Sequence, residues 1–205
     1  MLHYQTIGSP TLELLKKLQR IEEFSKLRLV GGTSLALQIG HRKSIDLDLF
    51  GLLRTDELEL RDILKTTGNI SILEKSKNIN IVLIDKIKVD LVNYPYPWLE
   101  DAIIKDNITL ASKKDIAAMK LEAICGRGTK KDFIDLYFLL NHYRLAEILD
   151  FYREKYSDGS EFLVLRSLNY FDDADDEAMP EMLLPVDWNM VKEKIVNCVK
   201  EILLH

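Results

Sequence analysis

Leu29-Val30-Gly31-Gly32-Thr33-Ser34, followed from residue 44 by Ser44-Ile45-Asp46-Leu47-Asp48-Leu49-Phe50, is the stretch that decides the fold. Its first piece reads as a strand, a tight turn and a helix start. Leu27 to Val30 is a short apolar run, and glycine admits backbone angles closed to other residues and lets another group approach the chain. The SLALQIG that follows is a brief helix stopped at Gly40. The second piece alternates in strand fashion, with Ile45, Leu47 and Leu49 on one face and Ser44, Asp46 and Asp48 on the other. At about 3.3 Å per residue the two aspartates lie roughly 7 Å apart at their Cα atoms, so both carboxylates can converge on one cation cluster. Their repulsion disfavours this unless solvent, a basic group or a metal offsets it. Alone, the aspartate pair also suits the solvated face of an edge strand, and the glycine turn also suits a plain structural turn. Their combination, with the aspartates 14 and 16 residues after Gly32, is specific.

Working outward, residues 10–24 carry Leu12, Leu15, Leu18 and Ile21 near helical spacing behind Ser9-Pro10, and 56–66 read as a second helix. NISILEK, NINIVLI and KIKVDLV suit three strands, the last two joined at Asp85-Lys86 by a connection short enough for a hairpin. Tyr94-Pro95-Tyr96-Pro97 ends this region, because each proline biases its predecessor away from helix. Beyond it, 112–126, 131–142, 144–156, 160–169 and 187–204 all show three- and four-residue apolar spacing, interrupted by the acidic loop FDDADDEAMPEM at 171–182. The expected fold is α+β: a mixed β-sheet with flanking helices in an α/β core over 1–98, then a C-terminal helical bundle over 99–205 that contributes basic active-site residues.

A third carboxylate extends the site. In Lys86-Ile87-Lys88-Val89-Asp90-Leu91-Val92, Asp90 shares a face with Lys88, opposite Val89 and Leu91. If this strand neighbours 44–50, Asp46, Asp48 and Asp90 share one pocket. Oxygen-only ligands suit Mg²⁺, which keeps room for waters and substrate phosphates. The four histidines (His3, His41, His142 and His205) have no paired spacing, so zinc chemistry is not expected. The helix N-terminus after Gly31 and Gly32, with the hydroxyls of Thr33 and Ser34, suits a phosphate.

In the helical half, Lys113, Lys120 and Arg127 recur every seven residues and would form one stripe, with Ile116, Met119 and Ala123 on the apolar side. Ser112 can cap this helix with Asp115 three residues on, while Gly126 and Gly128 break it around Arg127. Lys130-Lys131-Asp132 opens the next helix, whose core face is Phe133, Leu136, Tyr137 and Leu140, with Asp132 and Asp135 beside it. These charges suit an ordinary solvated surface. They also suit a cationic clamp for a triphosphate, in which Asp132 orients Lys120, Arg127 or the acceptor.

The 205 residues fit one domain or a core with an appendage, and an apolar share of 47% supports a buried core. Two cysteines, Cys125 and Cys198, make no disulfide scaffold and point to reduced thiols. No basic-then-apolar start marks a signal peptide, and no apolar run reaches the roughly 18 residues of a membrane span. The expected location is the cytoplasm, with no membrane partner. The formal charge of −5 argues at face value against nucleic acid, but it is unevenly distributed. Residues 1–131 hold 21 Lys and Arg against 17 Asp and Glu; residues 132–205 hold 7 against 16. The overall sign therefore averages a mildly basic half with an acidic tail and does not exclude RNA.

Taken in order, Gly31-Gly32-Thr33-Ser34, Ser44 through Phe50, Asp115-Ile-Ala-Ala-Met-Lys120, Arg127 and Lys131-Asp132-Phe133-Ile134-Asp135-Leu136-Tyr137 strongly resemble the AbiEii/AbiGii nucleotidyltransferase toxins. These belong to the DNA polymerase β-like nucleotidyltransferase superfamily. The resemblance covers roughly residues 25–140, and Leu165 to Asp173 is also similar. It implies that Gly31, Gly32 and Ser34 form the phosphate turn. It further implies that Asp46 and Asp48 are the metal pair, Asp90 the third carboxylate, Lys120 an essential lysine and Asp132 a later acidic residue. Where the family often has serine directly after the first glycine, this chain has Gly32, with the hydroxyls following.

The implied activity is transfer of a nucleoside monophosphate from an NTP, in some members onto the 3′ end of tRNA, by toxins paired with a cognate antitoxin in phage defence and abortive infection. Two Mg²⁺ ions and NTP are the expected cofactor and substrate, with Lys113, Lys131 and Thr33 completing the substrate contacts. Two alternatives remain: a nucleotidyltransferase acting on a protein or an aminoglycoside-like small molecule, and a non-catalytic nucleotide-binding protein.

Overall fold

The computed structural model describes residues 1–204 and divides the chain into two compact units. The first comprises residues 1–39, 43–95 and 102–111; the second comprises residues 40–42, 96–101 and those from 112 onward. The single crossing expected near residue 98 is thus several. The chain re-enters the first unit after residue 101 because a strand pair there completes the sheet.

In the first unit, α1 (Ser9–Gln19) leads through a 3₁₀ turn to β1 (Leu27–Leu29), α2 (Gly31–Ile39), β2 (Leu47–Gly51) and α3 (Glu57–Lys65). Then come β3 (Ile70–Lys75), β4 (Ile79–Ile84), β5 (Ile87–Asn93), β6 (Ile103–Lys105) and β7 (Ile108–Leu110). Among the described residues these strands form one sheet, in the order β3-β4-β5-β2-β1-β7-β6. The β2–β5 and β1–β7 pairings are parallel, and the rest are antiparallel. The Asp85-Lys86 connection is a two-residue hairpin with both residues at positive φ (48° and 71°), and Asp106-Asn107 between β6 and β7 repeats it (53° and 61°). Sequence reading finds the first hairpin but not the second, because strands of three residues carry too little alternation to register.

The core of this unit explains why the carboxylates end up where they do. Leu47 and Leu49 of β2 and Val89 and Leu91 of β5 turn into one buried cluster with Leu15 and Leu18 of α1 and Leu60 and Leu64 of α3. Period-two alternation then sends Asp48 and Asp90 to the opposite face. Ile45 departs from the expectation. It is exposed, because β2 begins only at Leu47 and the chain before it has left the ladder. At the outer edge, β3 leaves Ile72 and Leu73 more than half exposed, with a register irregularity between Ile72 and Glu74.

The second unit is helical: α4 (Lys113–Gly126), α5 (Lys130–Leu139), α6 (Leu145–Lys155), α7 (Glu161–Ser167), the short α8 (Asp172–Asp175) and α9 (Trp188–Leu203). Helix α4 packs on α5, α6 and α7, while α9 packs on α5 and α6. The expected cap is present: Ser112 Oγ accepts from the Asp115 amide. The Asp115 carboxylate then takes Ser112 Oγ (2.7 Å), the Leu99 amide (2.9 Å) and buried Lys155 Nζ (2.6 Å), pinning residues 97–99 to α4 and α6. Expectation also placed Met119 and Ala123 on the apolar side. In fact α4 is buried nearly all round, through Ile116, Ala117, Ala118, Lys120, Leu121 and Ile124, so its pattern is not two-sided. The acidic loop is ordered: Lys130 Nζ donates to the carbonyl oxygens of Asp175 and Glu177, and Glu177 Oε2 accepts the Lys130 amide at the start of α5 (2.9 Å). Asp175 accepts from Trp188 Nε1 and Lys192 Nζ. No described helix is long and apolar enough to cross a membrane.

Candidate active site

The carboxylate site of the first unit is built by strand register. Asp48 of β2 and Asp90 of β5 are lateral partners in the parallel pair, so their side chains stand beside each other on one face. Asp46 lies just before β2, where Thr33 Oγ1 donates to its backbone carbonyl and also lies 2.8 Å from Ser44 Oγ. Lys88 Nζ donates to Asp90 Oδ2 at 2.7 Å, while Asp90 Oδ1 is buried without a hydrogen-bond partner. A hard cation suits such an orphaned oxygen. Among the described residues no three His, Cys, Asp or Glu side chains converge as a ligand cluster; Asp48 and Asp90 are the two carboxylates that the register sets side by side.

The glycine turn abuts this pair. Gly31 has φ +65°, and a Cβ placed there would lie 2.2 Å from Asp48 Oδ2. The turn thus needs glycine twice over, for its backbone conformation and for the approach of the carboxylate. Thr33 and Ser34, expected to offer hydroxyls, are buried. Thr33 is engaged as above, and Ser34 Oγ accepts from Gln38 Nε2 (3.2 Å). Gly31 and Gly32 are the partly exposed members of the turn.

The helical unit assembles Lys120, Arg127 and Asp132, with partners that the sequence reading passed over. Lys120 is buried, its Nζ 2.8 Å from Asp132 Oδ1 and 2.6 Å from Asp135 Oδ2. Asp132 also accepts from Arg127 Nε (2.9 Å) and Thr129 Oγ1 (2.7 Å). Asp135 accepts from His41 Nε2 (2.7 Å) and from Arg42 through Nε (2.7 Å) and a terminal nitrogen (2.8 Å). Burial disfavours the Lys120 ammonium, yet Asp135 and then Asp132 outweigh it and hold its pKa above the ordinary lysine value. Burial likewise disfavours both aspartates as anions, but Lys120 with Arg42 on Asp135, and Lys120 with Arg127 on Asp132, keep them below the usual carboxylate range.

The expected basic stripe is therefore not a continuous solvated surface. Lys113 opens α4, Lys120 is enclosed by carboxylates, and Arg127 caps the helix end with its side chain 67% exposed. Lys131 is exposed at the start of α5. One signal could have found the enclosed network. Asp132 and Asp135, three apart among Phe133, Ile134 and Leu136, are carboxylates in an apolar setting and require cationic partners. Of the histidines, His41 is drawn into this network, and His205 lies outside the described residues.

A family model of the AbiEii nucleotidyl transferase toxin of type IV toxin–antitoxin systems matches residues 13–201. The chain belongs to the AbiEii toxin family. As an AbiEii protein it is a nucleotidyltransferase. An uncharacterised protein of Aquifex aeolicus is 34% identical over 197 residues, covering 93% of this chain and 95% of its own. Two solved structures share the fold. MenT4, a nucleotidyltransferase toxin of Mycobacterium tuberculosis, has a TM-score of 0.60 at 14% identity, covering 91% of this chain and 80% of its own. JHP933 of Helicobacter pylori has a TM-score of 0.52 at 18% identity, covering 96% and 93%. The AbiEii match runs from residue 13 to residue 201, so it also takes in most of α1, α6, the rest of the acidic segment and most of α9.

Proposed function

We propose that this protein is the toxin of a toxin–antitoxin pair, acts in the cytoplasm in abortive infection, and transfers a nucleoside monophosphate from an NTP to RNA, with the 3′ end of tRNA as acceptor. The observation that carries the reading is the lateral Asp48–Asp90 pair, with a partnerless buried oxygen on Asp90, set against the Gly31 turn. Asp46, Asp48 and Asp90 would hold two Mg²⁺ ions, which when bound supply charge neutralisation of the phosphates and acidify the acceptor hydroxyl.

In the transfer, the acceptor oxygen bonds to the α-phosphorus and the bond from that phosphorus to the β-bridging oxygen breaks, releasing pyrophosphate. Asp90 receives the hydroxyl proton. The backbone of Gly31 and Gly32 at the start of α2 cradles a phosphate, with Thr33 and Ser34 shaping the turn. In the helical unit, Arg127, Lys131 and Lys113 are the candidate phosphate-binding cations. Lys120 and Asp132 fix the orientation of Arg127 through the shared carboxylate. A cognate antitoxin is the expected protein partner.

The test is incubation with each labelled NTP and total RNA, with and without Mg²⁺. Label should enter the tRNA band, and Asp48→Asn should lower transfer at least about a thousandfold while the far-ultraviolet circular dichroism stays native. Label in protein instead of RNA, or undiminished transfer by the variant, would refute the acceptor and the site respectively.

A further inference from the structure

Lys88 has no part in the reading above, yet it sits inside the carboxylate site. It shares a face of β5 with Asp90, two residues away, and its Nζ donates to Asp90 Oδ2 at 2.7 Å. The β2–β5 register begins with Leu47 beside Val89 and sets Asp48 beside Asp90, two residues from Lys88. One ammonium is thus held at a place where two carboxylates stand side by side. The Asp90 side chain is 17% exposed and that of Lys88 38%, so the lysine is the more solvated partner of the pair and leaving it carries the smaller desolvation cost. Asp90 spends one oxygen on this lysine and leaves the other buried without a hydrogen-bond partner.

Resting on the proposed metal-assisted transfer, we infer that Lys88 is a positioning residue that occupies Asp90 when no divalent cation is bound and yields it when one arrives. Carboxylates brought together by strand register repel one another. The lysine offsets that repulsion and holds the Asp90 carboxylate in place without metal. Because cation and ammonium compete for the charge of the same carboxylate, Lys88 sets how much free divalent metal the site needs before it fills. Metal binding releases the ammonium beside the site, where it is free to meet the substrate phosphate.

Mn²⁺ titration without nucleotide, read by electron paramagnetic resonance on the full chain, tests this. Lys88→Met keeps the aliphatic stem and removes the charge. It should bind Mn²⁺ about fivefold more tightly than the native protein, the size expected for removing a partly exposed ion-pair competitor. Lys88→Arg should restore native affinity, and the Mg²⁺ concentration that half-saturates nucleotidyl transfer should shift with the same pattern. Native-like melting by circular dichroism controls for folding. Unchanged or weaker Mn²⁺ binding by Lys88→Met overturns the inference, as does equal tightening by Lys88→Arg. Asp48→Asn in the same titration separates the two failures. If it binds Mn²⁺ as the native protein does, the carboxylate site itself is wrong. If it loses Mn²⁺ while Lys88→Met matches the native protein, only the role of Lys88 falls.

Discussion

At Gly31 the methyl group of an alanine would lie 2.2 Å from Asp48 Oδ2, at a φ of +65° that side-chain-bearing residues adopt only at a cost. Gly31→Ala should therefore destabilise the fold by about 2 kcal/mol in urea unfolding, and by only about 1 kcal/mol when Asp48 is already alanine, since the backbone cost alone then remains. His41 gives a second handle. Burial holds its pKa below the ordinary 6.5, against the smaller pull of Asp135. An unfolded chain takes up that proton more readily than the folded one, so stability falls as pH drops below about 6.5. His142 contributes with the same sign from a more exposed position. Asp132 and Asp135 stabilise above the ordinary carboxylate value and lose that contribution as pH falls below about 4. Melting temperature against pH should thus decline in two stages, and His41→Gln should flatten the upper one. Asp135→Asn, which leaves Lys120 and Arg42 facing a neutral group, should cost about 3–5 kcal/mol at pH 7.

Helices and strands of six or more residues were legible because each carries several repeats of its own period: α1, α3, α4 and the β3–β4–β5 meander fall within a few residues of expectation. The three-residue β6 and β7 were not, and neither was the late start of β2, because Ile45 keeps the alternation of a strand while backbone pairing has stopped. That Asp48 and Asp90 share a face with their apolar neighbours turned inward was legible from strand alternation. The enclosure of Lys120 was not, since a seven-residue repeat of cations reads the same whether it faces water or a pair of buried aspartates. The Asp85-Lys86 hairpin, with both φ angles positive and neither residue glycine, offers an element-level test. Lys86→Gly should stabilise the protein by about 0.5 kcal/mol, seen as a higher melting temperature, because glycine pays no steric cost in that conformation. Asp85 should be kept, as its carboxylate accepts the Asn69 amide.

Across the whole chain, charge and core divide differently. Each unit has its own apolar interior, whereas the change from basic to acidic composition falls at the start of α5, inside the helical unit. If RNA is the acceptor, its phosphates must be met by the local cations of an acidic protein, and affinity should fall by at least about tenfold between roughly 50 and 200 mM KCl. Filter binding of tRNA over that range checks this, and a flat profile would speak against a polyanionic acceptor. The edge of the sheet carries a different consequence. On β3, Ile72 and Leu73 face water beside unpaired backbone, the kind of strand on which chains stack edge to edge. The irregularity between Ile72 and Glu74 bends that edge, and Glu74 and Lys75 place charge at its end. Deleting Leu73 would remove the extra residue and bring β3 into regular register with β4. The one residue out of register thus bears on how copies of this protein meet in a concentrated solution, a property apart from the active site.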